Sequence, residues 1–221
     1  MLTTNSPRCL DKEVAMSIFA PDGKLARCLN CIGNLMILNI LTLICCIPLV
    51  TAGAAMTALY TMTMRMARNE EGSIVREYFQ AFRDNFKQAT ILWLIFGSLM
   101  VFLAFDIYIL RSITGTFGLV YRILLFVILL GFGMECIHIF AVLARFENTT
   151  KNTAKNALLF CVSHFPQAIL MLAVTICPLL LLSVSFRFIS VVFLIGLSGP
   201  AYLAGIYFKS IFRRYETASA A

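Results

Sequence analysis

Two side chains in this 221-residue chain stand where chemistry could happen: Glu135 and His138, three residues apart in a long apolar run. On a helix that spacing puts both on one face. Ionisable groups inside an apolar segment are candidates for proton transfer or a substrate path. Glu-x-x-His is also the ligand pair of di-iron bundles, but those need two such pairs and two more glutamates. Here there is one pair and one other histidine, His164, so no metal is expected. The plain expectation is a buried hydrogen bond between the two.

Other reactive patterns are sparse. Cys28 and Cys31 match C-x-x-C, but no second pair of ligands lies nearby to complete a zinc site. The eight cysteines are scattered, five of them in apolar runs, where cysteine acts as a small hydrophobe. No nucleophile elbow, phosphate loop or zinc-protease motif occurs. The expectation is a non-catalytic protein without a cofactor.

The elements that would hold these residues follow from composition. Apolar residues make up 60% of the chain and charged ones 13%, with a mean hydropathy of +0.88. Soluble domains are about 25% charged, so the solvent here is lipid. The apolar runs predict an all-α membrane bundle with spans at Ile32–Val50, Ala54–Arg68, Ala89–Leu110, Tyr121–Leu143, Ala157–Ser183 and Phe188–Phe208. Residues 1–31 form an N-terminal segment, 32–210 the membrane domain and 211–221 a tail. The net charge of +7 is read as loop bias at a membrane. No nucleic-acid-binding module is present.

The second span is short, and the stretch "CIPLVTAGAAMTALY" decides its fate. If it crosses, 15 of the 18 basic residues share one side, and only Arg111, Arg122 and Arg187 lie opposite. If it lies on the surface, the split falls to 11 against 7. The positive-inside rule favours the first. Six spans with both termini cytoplasmic are therefore expected in a cell membrane. In this hairpin Pro48 ends the first span and Gly53 permits the turn. Thr57, Thr61, Arg65 and Arg68 share a face of the return helix, with the arginines snorkelling to headgroups.

Between spans 2 and 3, Val75, Phe79, Phe82 and Phe86 fall at i, i+4, i+7 and i+11, one face of an amphipathic helix over Ser73–Gln88, with Ser73 as N-cap. Such a helix anchors on the bilayer surface or docks a partner. For docking, Phe79, Phe82 and Phe86 are the anchors, with Arg83 as a carboxylate contact. Ala201 and Gly205 form a small-xxx-small pair suited to close helix contact. A faint echo links "NFKQATIL" (Asn85–Leu92) with "HFPQAILM" (His164–Met171).

Three stretches together resemble the YesL family of bacterial membrane proteins: "GNLMILNILTLICCIPLVTAGAAMTALY", "NEEGSIVREYFQAFRDNFKQATILWLI" and "LARFENTTKNTAKNAL". That family is a domain of unknown function, best represented in Gram-positive bacteria and commonly encoded beside carbohydrate importers and glycan-degrading enzymes. The resemblance covers about residues 20 to 210 and brings no catalytic residues with it. It implies an accessory subunit or assembly factor beside the permeases of an ATP-binding-cassette sugar importer. The alternative is a small stand-alone transporter or channel with Glu135 and His138 in its pathway.

Overall fold

A computed structural model describes residues 24–70, 72–110, 115–145, 150–163, 165–184 and 189–219. The N-terminal segment up to residue 23, together with Arg111, Phe146–Thr149, His164 and Arg187, lies outside them. Among the described residues every regular element is helical. In order these are α1 (Lys24–Cys46), a 3-10 turn (Leu49–Thr51), α2 (Ala52–Ala67), α3 (Ile74–Ile109), α4 (Thr116–Arg145), α5 (Thr150–Ser163), α6 (Phe165–Val184), α7 (Ile189–Ile195) and α8 (Ser198–Ser219). Helices α1 and α8 thus reach beyond the bounds of 32 and 210 drawn for the membrane domain.

Among the described residues four helices are long and apolar enough to cross a membrane, or five if the bent pair α5–α6 is one span. The six-span expectation counted α2. With 16 residues it is about 24 Å long, against a hydrocarbon layer of about 30 Å.

Helix α2 lies at the centre of the bundle. Twelve of its residues are buried, and it packs on α3, α8, α4 and α1. Small side chains make this possible. A Cβ on Gly53 would stand 2.6 Å from the Ala89 carbonyl oxygen and from Trp93 Cβ. Gly53 therefore lets α2 lie against α3. The turn comes before it, built by Pro48 and the 3-10 residues, so the expected turn role of Gly53 is corrected. Gly205 likewise lets α8 approach the Thr63 backbone, 3.0 Å from a would-be Cβ, beside buried Ala201. The small-residue pair is spent inside the fold.

The threonines of α2 return their hydroxyls to the helix: Thr57 to the Gly53 carbonyl, Thr61 to Thr57 and Thr63 to Leu59, each at 2.9 Å. This removes the cost of unpaired polar groups in an apolar interior. Arg65 pairs with Glu77 at 2.9 Å and Arg68 with Glu70 at 3.2 Å. Lys209 donates to the Ala67 carbonyl at 2.7 Å, which ties α8 to the end of α2.

Two expected spans are broken. The axes of α5 and α6 differ by 102°. Pro166 lacks an N–H and its ring crowds the carbonyl four residues back, so α5 cannot run through it. Pro200 has the same effect between α7 and α8. The two echo segments also sit differently: Asn85–Leu92 lies within the unbroken α3, while 165–171 opens α6.

Candidate functional site

Helix α3 runs 36 residues without a break, about 54 Å. Its longest stretch without charge lies between Lys87 and Asp106, and its first four turns carry most of its charges. Those turns have three sides. Ile74, Tyr78, Ala81 and Ala89 face inward and are buried. Val75, Phe79 and Phe86 make an exposed apolar stripe, with Phe79 46% exposed. Arg76, Arg83 and Lys87 stand exposed on the adjoining side.

The expected contact set is therefore split. Phe79, Arg83 and Phe86 face outward. Phe82 is half-buried against the core and stacks tilted on Phe86, centroids 5.5 Å apart. The inward anchor is Tyr78, whose hydroxyl donates to the Ala55 carbonyl at 3.4 Å. Ser73 stands at the helix start in extended conformation but makes no side-chain cap bond. Farther along, Gln88 donates to the Thr153 hydroxyl at 3.2 Å and joins α3 to α5.

His138 is buried, 1% exposed, and Glu135 is half-buried. The His138 Nδ1 lies 2.8 Å from the Met134 carbonyl oxygen. A carbonyl can only accept, so Nδ1 carries the proton in that bond. The ring meets Phe208 edge-on at 5.7 Å. Packing against α8 accounts for the position of His138. We therefore expect Glu135→Gln to leave insertion and thermal stability unchanged or slightly raised, since it removes a charge from an apolar helix. A fall in the melting temperature on fluorescence-detected size exclusion would show that the carboxylate is needed.

Sequence reading missed a well-connected buried polar side chain. Asn39 on α1 is fully buried. Its Nδ2 donates to the Phe193 carbonyl at 2.6 Å, and its Oδ1 accepts from the Leu197 and Ser198 N–H groups at 2.8 and 3.0 Å. One amide thus closes both ends of the break between α7 and α8. The signals were an asparagine inside "LMILNILTL" and the breaker "GLSGP".

A cavity of about 250 Å³ opens between α6 and α8, lined by apolar residues such as Leu170, Met171 and Leu203 with Gln167, Thr175 and Tyr207. The Thr175 hydroxyl is already spent on the Met171 carbonyl at 2.8 Å. The lining is mostly apolar, and the Gln167 amide and the Tyr207 hydroxyl, which is buried without a partner among the described residues, are its remaining polar groups.

Residues 35–107 match the family described as "Protein of unknown function, DUF624". Over that third of the chain it is similar to a DUF624 domain. This is the YesL-type membrane domain, so the resemblance holds for "GNLMILNILTLICCIPLVTAGAAMTALY" and "NEEGSIVREYFQAFRDNFKQATILWLI". The third motif lies beyond the matched range. No curated protein and no solved structure matches the chain. In the fold, the DUF624 stretch comprises most of α1, the turn, α2 and α3 up to Ile107. It contains Asn39, the buried α2 and the exposed stripe of α3.

Proposed function

We propose that this DUF624 protein is a non-catalytic accessory subunit or assembly factor of the cell membrane. It docks on the permease of an ATP-binding-cassette sugar importer through the Val75–Phe79–Phe86 stripe and Arg83. What supports this reading is the length of α3. Phe79 stands eight residues before Lys87, about 12 Å along the helix. The headgroup zone is only about 5–8 Å deep on each side. A surface anchor would bury that ring in lipid, whereas a docking face needs it beyond the bilayer. The sugar-importer partner comes from the YesL resemblance.

Both termini are cytoplasmic in this reading, because 15 of the 18 basic residues then share that side. An even number of crossings is required, and six would meet it if α1 and α2 each cross.

The test replaces both exposed rings, Phe79→Ser with Phe86→Ser, and leaves Phe82 in the core. The variant inserts at wild-type level but loses at least nine-tenths of the permease recovered in a mild-detergent pull-down, as expected for loss of aromatic anchors. Full recovery would remove this face from the interface.

The broken pairs α5–α6 and α7–α8 favour the transporter reading, since interrupted helices form ion and substrate sites. At α7–α8, however, Asn39 occupies the freed backbone groups. Substrate flux by the pure protein in liposomes would favour transport.

A further inference from the structure

We propose that the α1–α2 hairpin is a half-depth wedge in the inner leaflet: it enters from the arginine-rich side, turns within the hydrocarbon and leaves by the same side. The lipid of one leaflet meets it at the turn and along the exposed face of α1, while α2 is covered by the bundle. The proposal rests on the cytoplasmic placement of that side and is independent of any sugar importer.

The turn itself is the first observation. Surface turns are rich in glycine, asparagine, aspartate and serine. This one is Ile47-Pro48-Leu49-Val50-Thr51, with Ile47 and Leu49 each 76% exposed and Val50 50% exposed. Apolar side chains point outward while the polar groups are paired internally. The Thr51 hydroxyl bonds the Cys45 carbonyl at 2.5 Å and the Pro48 carbonyl at 2.8 Å. The Leu49 carbonyl accepts from the Trp93 indole at 2.7 Å. Non-helical backbone at membrane depth needs such pairing, because lipid supplies no partners. A turn in water or among headgroups would need none of it.

Register is the second observation. Trp93, which holds the turn, lies six residues past Lys87, about 9 Å, and thirteen residues before Asp106, about 20 Å. The Gly53 contact with Ala89 and Trp93 fixes the same level. The turn therefore sits just inside the hydrocarbon on the Lys87 side and far from the opposite face. Helix length is the third: α2 is too short to cross, so α1, although long enough to cross by itself, must turn back with it.

This topology keeps the charge split. α3, α4, α5–α6 and α7–α8 make four crossings, and both termini stay on the side that holds 15 of the 18 basic residues. Six crossings are then unnecessary.

The test uses Leu49→Cys in a background without native cysteines, labelled on intact cells with a membrane-impermeant maleimide. Thr116→Cys marks the outer face and Ser73→Cys the inner. Leu49→Cys is expected to label from outside at less than a tenth of the rate of Thr116→Cys, and to stay slow after permeabilisation, when Ser73→Cys labels fully. Outside labelling at the Thr116→Cys rate, or of Ser73→Cys, overturns the proposal. Should the cysteine-free chain fail to insert, the wild-type protein decides, because Trp93 is its sole tryptophan. Lipids brominated at mid-chain should then quench it most. Strongest quenching from the headgroup level would place the turn at a surface and overturn the wedge.

Discussion

Asn39→Leu is expected to destabilise the protein by about 3 kcal/mol or more, since each buried polar group left unpaired costs about 1–3 kcal/mol. The Asn39 side chain satisfies two N–H groups and a carbonyl at the α7–α8 break. Neither lipid nor a neighbouring side chain replaces the amide. Leucine has the same branching and number of side-chain heavy atoms, so no cavity is left, although its bulkier methyls add some overpacking. Asn39→Asp separates the two halves of the bond set. It keeps an acceptor for Leu197 and Ser198 but sets a charge against the Phe193 carbonyl, so it too should destabilise. A melting curve in mild detergent measures both, with an expected fall of roughly 6–12 °C for leucine. Wild-type melting of Asn39→Leu would show that the break is closed by something else.

Gly53→Ala carries the second large effect, and its sign is the informative part. In a helix interior alanine is favoured over glycine by about 1 kcal/mol. At Gly53 the new Cβ would lie 2.6 Å from the Ala89 carbonyl oxygen and from Trp93 Cβ. Those are backbone and a Cβ, neither of which can swing away. α2 must move off α3, and overpacking of this kind costs about 1–3 kcal/mol. It also pulls the Leu49 carbonyl from the Trp93 indole. Gly131→Ala is the control: it is exposed, helical and has nothing within 4 Å of a new Cβ. Gly53→Ala should lower the melting temperature and Gly131→Ala should hold or raise it. Equal shifts would mean that α2 and α3 are not in close contact at Gly53.

Residue types and periodicity made the helical class legible, because an apolar chain with so few charges can only satisfy its backbone in lipid as helices or closed barrels. The end of α1 near Pro48 was legible from the missing N–H of proline. So was the close contact at Ala201 and Gly205, since small residues four apart leave a groove. The contact at Gly53 was not, because a glycine beside a turn reads equally well as the turn or as the packing point. The stripe of α3 shows the same limit. A helical wheel shows that Val75, Phe79, Phe82 and Phe86 share a face, but the core that covers one edge of it is brought there by the fold. Hence Phe82 turned inward while Phe79 did not. Asn39 was not legible because it carries no charge. A neutral amide becomes decisive only when a helix break elsewhere, here between α7 and α8, frees the backbone groups it can bind. At Glu135 and His138 the spacing correctly put both on one helix, yet the histidine bonds its own helix backbone and meets a ring on α8.

The most direct measurement of the docking reading is photocrosslinking from position 79 in native membranes, with a photoreactive phenylalanine analogue in place of Phe79. That position is 46% exposed and stands on the aqueous side of Lys87. The ring type is preserved, so folding is not in question. The account predicts a discrete protein adduct whose added mass is that of a membrane permease, lost when Arg83 is also changed to Glu. Adducts to phospholipid alone would contradict it and make the first turns of α3 a membrane anchor.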